Sequence, residues 1–266
     1  MKRRKMLPEY QKLKDENGLI DKGPVFTISF SRFSLITVSL PLFSFIFCVS
    51  YSLLFFFEQS TSTHCHVWNY LPSISAAIGS FQPQAFVWQI SIIVHFIPRL
   101  IITWMYKSYY DRVIRRNRQN VAKFALLLNV VENFSLLGLS IYTSNDNYEI
   151  HKNCFCTFIV VSETYMMLSY YLNKNAKRDP KSSHSENKSI NLKRNLFIIN
   201  ITSIVLAAYF FVRHNDRCEG GIYTFFALFE YIVVLTNMGY HMTAAIDFHN
   251  QHLVFDWHHG LQIHFQ

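Results

Sequence analysis

The chain has 266 residues and a formal charge of +8, from 25 Lys and Arg against 17 Asp and Glu. Half of it is hydrophobic, 17% is aromatic and only 16% is charged, against roughly 25% charged in an ordinary soluble domain. This excludes a disordered chain and a collagen-like repeat, and five Cys in 266 residues are too few for a disulfide-dense miniprotein.

A helix crosses a bilayer with about 20 mostly apolar residues at ~1.5 Å rise each. Six segments qualify in chain order: 33–57, which carries no charge after Phe33 until Glu58, then 85–106, 121–142, 154–172, 196–212 and 222–245. The expected fold is all-α, a polytopic membrane protein built as a bundle of six transmembrane helices. Residues 1–32 form an N-terminal tail and 246–266 a C-terminal tail. The first span is too long for a signal peptide and reads as an uncleaved anchor. Residues 181–188 (KSSHSENK) read as a polar, flexible linker.

Lys and Arg in short loops stay cytoplasmic. Eight precede or abut the first span, from Lys2 to Arg32; six lie between Lys107 and Lys123; seven lie between Lys174 and Arg194. The three opposite loops hold only Lys152, Arg213 and Arg217. Both termini are therefore expected in the cytoplasm, with 58–84, 143–153 and 213–221 in the lumen. The basic charge serves topology and anionic headgroups, and no nucleic-acid partner is needed to explain it.

Cys65 and Cys218 both fall in lumenal loops, where a Cys65–Cys218 disulfide would suit an oxidising compartment. Cys154 and Cys156 sit on the same side, so the sequence leaves the pairing open. Sequons at Asn133, Asn187 and Asn200 fall within spans or on the cytoplasmic side, and no N-glycan is expected on them.

Ionisable side chains at bilayer depth are costly, and each is a candidate site residue. His95 and Arg99 share one face of span two, with Pro98 between them. Asn129, Glu132 and Asn133 form a stripe on span three; Glu163 lies in span four; Glu230, Asn237 and His241 share a face of span six. His95, Glu132, Glu163 and Glu230 each lie roughly 12–15 Å below the lumenal boundary at the helical rise. Arg99 sits one turn deeper, in reach of Glu132. His241 is nearer the cytoplasmic end and could simply reach the interface. The layer is either a site or a set of polar bridges between helices. His64, Cys65 and His66 match no standard zinc spacing, so no metal is assigned. The C-terminal histidines His249, His252, His258, His259 and His264 are given no ligand role. GxSxG, P-loop, GxGxxG and HExxH signatures are missing.

Several stretches resemble the post-GPI-attachment-to-proteins factor 2 family. They are 69–79 (NYLPSISAAIG), His95 with Pro98 and Arg99, 128–133 (LNVVEN), 196–200 (LFIIN) and 212–215 (VRHN), followed by Cys218-Glu219 and Tyr223-Thr224. The most specific are 230–238 (EYIVVLTNM), 241–244 (HMTA) and Asp247-Phe248. A weaker kinship extends to the damage-regulated autophagy modulators and the amino-terminal half of a yeast Calcofluor-white-hypersensitivity protein. The histidine-rich tail and the Cys154/Cys156 pair depart from the family pattern.

The resemblance implies a multi-pass Golgi protein in fatty-acid remodelling of GPI anchors. A saturated chain, typically stearoyl, would return to sn-2 of the lyso-GPI lipid of GPI-anchored proteins. The protein would be the acyltransferase or an essential helper. The donor would be acyl-CoA or a phospholipid, with no tightly bound cofactor. Acyl transfer needs a base for the glycerol hydroxyl and a donor for the oxyanion. On this reading His95 is the general base, Glu132 or Glu230 orients it, and Arg99 holds phosphate or oxyanion charge. Asn129, Asn133, Asn237 and His241 bind substrate. A glycerol ester lies nearer the headgroups than this layer, so a cavity open toward the lumen is required. The competing classes are a lipid-presenting adaptor for a separate transferase and a transporter or proton pathway using the same carboxylates.

Overall fold

The structure, a computed structural model, describes residues 26–79, 81–179, 183–256 and 260–265. Six of its helices are long and apolar enough to cross a membrane: α1 (Phe30–Phe55), α4 (Gln84–Val113), α5 (Gln119–Ile141), α6 (Tyr148–Asn175), α7 (His184–Arg217) and α8 (Ile222–Met242). Each outlasts or equals the ~20 residues a bilayer core demands. Side chains on the outer faces are apolar, as with Leu54 at 76% and Val160 at 65% exposure. Polar residues such as Glu132, Asn133 and Asn200 are buried instead. Lipid is the solvent this pattern fits.

Neighbouring helices pack around a ring, α1 against α4, α4 against α5, α5 against α6, α6 against α7, α7 against α8 and α8 back against α1. At one end the segments flanking the bundle meet in a small antiparallel sheet, β1 (Phe26–Ser29), β2 (Gln251–Asp256) and β3 (Gly260–Phe265), in the order β1-β2-β3. Ser29 pairs with His252 and Phe26 with Phe255, which ties the start of α1 to the segment after α8. The two tails are thus folded where they adjoin the bundle. The C-terminal His258 and His259 lie outside the described residues.

At this sheet end, α8 gives way to the buried turn α9 (Ala244–Asp247), and Phe248 packs edge-on to Phe30 and Tyr106. Asp247 accepts hydrogen bonds from Tyr106 Oη (2.6 Å) and Ser189 Oγ (2.5 Å), and Lys193 Nζ binds the same carboxylate. The stretch expected to be a linker is helical from His184, because Ser183 and Glu186 form a capping box that satisfies the first-turn donors. Residues 181–182 of that stretch lie outside the described residues.

At the opposite end, Cys65 is joined to Cys218, with Cα atoms 5.2 Å apart. The connection between α1 and α4 carries two short helices, α2 (Phe57–Thr61) and α3 (Ile74–Gly79). It is stitched to the start of α8 by Tyr70 N–H donating to Thr224 Oγ1 (2.8 Å), Gly221 N–H to Trp68 O (2.8 Å) and Tyr231 Oη to Pro72 O (2.6 Å). Gly221 has φ +78°, and a Cβ there would lie 2.6 Å from the Trp68 ring, so the turn into α8 requires glycine. Two apolar clusters fill the bundle. One at the sheet end includes Ile102, Tyr110, Tyr165 and Tyr240; one at the disulfide end includes Phe45, Ile74, Trp88 and Ile92. A polar layer separates them.

Candidate functional site: an intramembrane cavity with two polar ends

Glu132 is the hub of the polar layer. Its Oε1 accepts hydrogen bonds from Asn237 Nδ2 (3.1 Å) and His241 Nε2 (2.8 Å), and its Oε2 lies 3.8 Å from Arg99 Nη2. Arg99 Nε donates to Asn133 Oδ1 (3.2 Å), and Asn133 Nδ2 donates to Asn129 O (3.1 Å). Asn129 Oδ1 accepts from Thr103 Oγ1 (2.9 Å). Asn237 also reaches Ser162 Oγ (3.1 Å), and the Tyr165 ring stacks on His241 at 5.6 Å. Helices α4 and α8 thus bring partners to one carboxylate on α5, and α6 backs those partners through Ser162 and Tyr165. A buried ion pair needs such supporting hydrogen bonds to offset its desolvation.

Two expectations change here. The histidine bonded to Glu132 is His241, not His95; among the described residues no hydrogen bond involves the His95 side chain, and it faces the cavity. His241 does not reach the interface. It is the last residue but one of α8 and is buried beside Glu132, with α9 following after Thr243.

Glu230 is also drawn elsewhere. Its Oε2 accepts the Ile74 N–H at 2.8 Å, so it holds the first residue of α3 rather than orienting His95. Glu163 does not line the cavity, and both its carboxylate oxygens are buried without a hydrogen-bond partner among the described residues. His64 lies near Cys65 and Cys218, whose sulfurs are joined to each other.

The cavity measures about 330 Å³ and runs from this hub toward the disulfide end, within the roughly 300–1,000 Å³ typical of small-molecule sites. Its walls are apolar, from Val38 and Pro41 on α1, Phe158 on α6, and Ala207 and Phe211 on α7. His95, Arg99, Glu132 and His241 lie along its inner part. Toward the disulfide end it meets Ser75, His151 and Glu230. His151 Nδ1 lies 2.8 Å from Tyr142 O, and its Nε2 lies 3.0 Å from Ser75 Oγ. An apolar chain fits such walls, and the polar ends can handle an ester.

Residues 29–251 match the family described as the Frag1/DRAM/Sfk1/Cwh43P N-terminal domain. The "Post-GPI attachment to proteins factor 2" of Drosophila pseudoobscura pseudoobscura is 51% identical over 97% of this chain and 99% of its own length. The chain belongs to the post-GPI-attachment-to-proteins factor 2 family. The "Acyltransferase PGAP2" of Xenopus tropicalis is 41% identical over 86% of this chain and 92% of its own. More distant is "Protein cwh43" of Schizosaccharomyces pombe, 26% identical over 71% of this chain and 18% of its own length. No solved structure matches.

Several of the stretches that carry the family resemblance contribute polar residues to the cavity. The 128–133 and 230–238 stretches with 241–244 supply Glu132, Asn133, Glu230, Asn237 and His241, and 69–79 supplies Ser75; Asn129 stands behind the wall, bonded to Thr103 and Asn133. Sequence reasoning passed over Ser75 and His151. The alternation of apolar and hydroxyl residues in 71–79 was the available signal for Ser75, and nothing local marks His151.

Proposed function

We propose that this protein acts in GPI-anchor maturation as an acyltransferase, returning a saturated, stearoyl-like chain to sn-2 of the lyso-GPI lipid. The observation that carries the reading is the intramembrane cavity, whose apolar walls end in ionisable side chains rather than in more hydrocarbon. The relatives named for post-GPI attachment and for acyl transfer support the pathway and the reaction class. On this reading the chain lies with both termini in the cytoplasm, and the disulfide end faces the Golgi lumen, where the anchor glycan resides. The wall residues solvate the acyl chain in the way lipid does. Arg99, held by Asn133 and Glu132, presents a fixed positive charge to the phosphate or to the developing oxyanion. His95, with no hydrogen-bond partner among the described residues, faces the cavity beside Arg99 and contacts the bound lipid there.

The test uses purified full-length protein in liposomes with lyso-GPI and a labelled stearoyl donor, either acyl-CoA or a phospholipid. Transfer by the wild type, and its loss in His95→Ala at matched folded amount, is the expected result. Binding of lyso-GPI without transfer identifies an adaptor instead. Collapse of an imposed proton gradient without transfer identifies a proton pathway through the carboxylates.

A further inference from the structure

Two polar side chains on the cavity wall form a nucleophile–base pair. Ser75 is the second residue of α3 and His151 lies in the first turns of α6. The tautomer follows from the partners. Tyr142 O is a carbonyl and can only accept, so the His151 nitrogen 2.8 Å away, Nδ1, carries the proton. Nε2 of the neutral ring then has only its lone pair to offer. The hydroxyl of Ser75, 3.0 Å away, must be the donor. This is the arrangement by which an imidazole takes a proton from an attacking hydroxyl, with the far nitrogen oriented by an acceptor.

The pair also has the rigidity and the position that chemistry requires. His151 is 8% exposed, whereas Ser75 is half-buried and open to the cavity. The segment bearing Ser75 is braced on both sides: Ile74 N–H donates to Glu230, and Ala77 O accepts from Ser52 Oγ at 3.1 Å. Glu230 is therefore a positioning residue for the serine. Both side chains lie at the disulfide end of the cavity, three residues into α6 in the case of His151. That is roughly 5 Å along the helix at its usual rise. With the disulfide end facing the lumen, the pair is nearer the headgroup level, where a glycerol ester resides, than the Glu132 hub is.

We infer that Ser75, activated by His151, is the nucleophile that carries the acyl group between donor and acceptor. The inference rests on the acyltransferase reading and deepens it. In the first half, Ser75 Oγ bonds to the carbonyl carbon of an acyl ester or thioester donor. Its proton passes to His151 Nε2, the carbonyl carbon's bond to the leaving oxygen or sulfur breaks, and the leaving group departs with that proton. In the second half, the free hydroxyl of the lyso-lipid attacks the Ser75 ester and gives its proton to Nε2. Ser75 Oγ leaves and recovers the proton from His151. The acyl group has moved, and no oxidant or reductant is consumed.

The experiment treats the full-length protein in liposomes with a fluorophosphonate probe, which reacts covalently with activated serines, and maps the adduct by peptide mass spectrometry. Acyl transfer from a labelled phospholipid or acyl-CoA to lyso-GPI is measured in parallel. The expected result is a single adduct on Ser75, absent in Ser75→Ala and reduced about a hundredfold or more in His151→Phe, as for loss of a positioned base. Ser75→Cys, which keeps a nucleophile in place, should trap a hydroxylamine-sensitive acyl thioester. This decides the matter if Ser75→Ala proves poorly folded. Transfer by the wild type with no adduct at Ser75 and no trapped thioester overturns the inference and leaves the acyltransferase reading standing. Ser75→Ala transferring at more than half the wild-type rate does the same. An adduct at Ser75 without any transfer supports the nucleophile and overturns the acyltransferase reading.

Discussion

The buried pair at the sheet end offers the sharpest test of the energetics, because its two members are not equally supported. Lys193 is 1% exposed and its ammonium finds two partners, the Asp247 carboxylate and Ser189 Oγ at 2.9 Å. Asp247 has three, since Tyr106 Oη and Ser189 Oγ both donate to it. Removing one member of a buried ion pair costs about 3–5 kcal/mol through the charge left behind. Hydrogen bonds to a charged group contribute about 1.5–3 kcal/mol each. In Lys193→Met the orphaned carboxylate keeps two hydroxyl donors, so the loss should fall near 3 kcal/mol. In Asp247→Ala the ammonium keeps one hydroxyl, and α9 loses its bonds to α4 and α7, so the loss should approach 5 kcal/mol. Lys193→Met combined with Asp247→Asn leaves no charge and should lie closer to the wild type than Asp247→Ala does. Equilibrium unfolding by SDS titration in mixed micelles, followed by tryptophan fluorescence, reads all three. Equal losses in the two single variants, or a double variant no more stable than Asp247→Ala, would refute the assignment of the cost to an orphaned charge.

Three further expectations come from the other end of the bundle. Cys65→Ser and Cys218→Ser should lower thermal stability in detergent by the same amount, and the double variant by no more, because the bond is one unit; a larger loss in the double would show independent roles. Glu230→Ala should leave the Ile74 N–H unpaired at a cost of about 1–3 kcal/mol, while Glu230→Gln, which keeps an acceptor, should cost much less; limited proteolysis in the 68–79 segment is the readout, and equal cleavage of both variants would count against the bond. Gly221→Ala should destabilise by at least about 1–2 kcal/mol from its left-handed backbone alone, and Trp68→Ala in the same chain should relieve the steric part of the loss. No relief in thermal melting would mean that the ring can move away.

The membrane architecture was legible because apolar length is a local property. Each span announced itself within about 20 residues, and the polar stripes on spans two, three and six are visible as helical spacings. What the spans do beyond the apolar stretch was less visible. The capping box at Ser183 and Glu186 was present in KSSHSENK, yet the polar composition of the stretch masked the start of α7. His241 was placed by counting along α8 as though it crossed the whole bilayer. Its burial comes from the Glu132 contact, and the chain beyond it is fixed by Phe248 and Asp247 finding partners on α1, α4 and α7. The same logic hid the Ser75–His151 contact. It joins the first loop to the start of α6, and no spacing in the sequence connects positions 75 and 151. Strands of four and six residues carry little periodic signal, so the sheet was missed for want of length.

That sheet has a consequence for how the molecule is made. The strand β1 precedes α1 and its partner, Gln251–Asp256, follows α8, so β1 is made before all six spans and its partner after them. Until Gln251–Asp256 is made, β1 has no strand to pair with at the foot of α1, and the seam between α1 and α8 is held by its helix contacts alone. Contacts of such sequence separation form late. A chain truncated before Gln251 would carry an unfinished edge at the foot of α1 permanently.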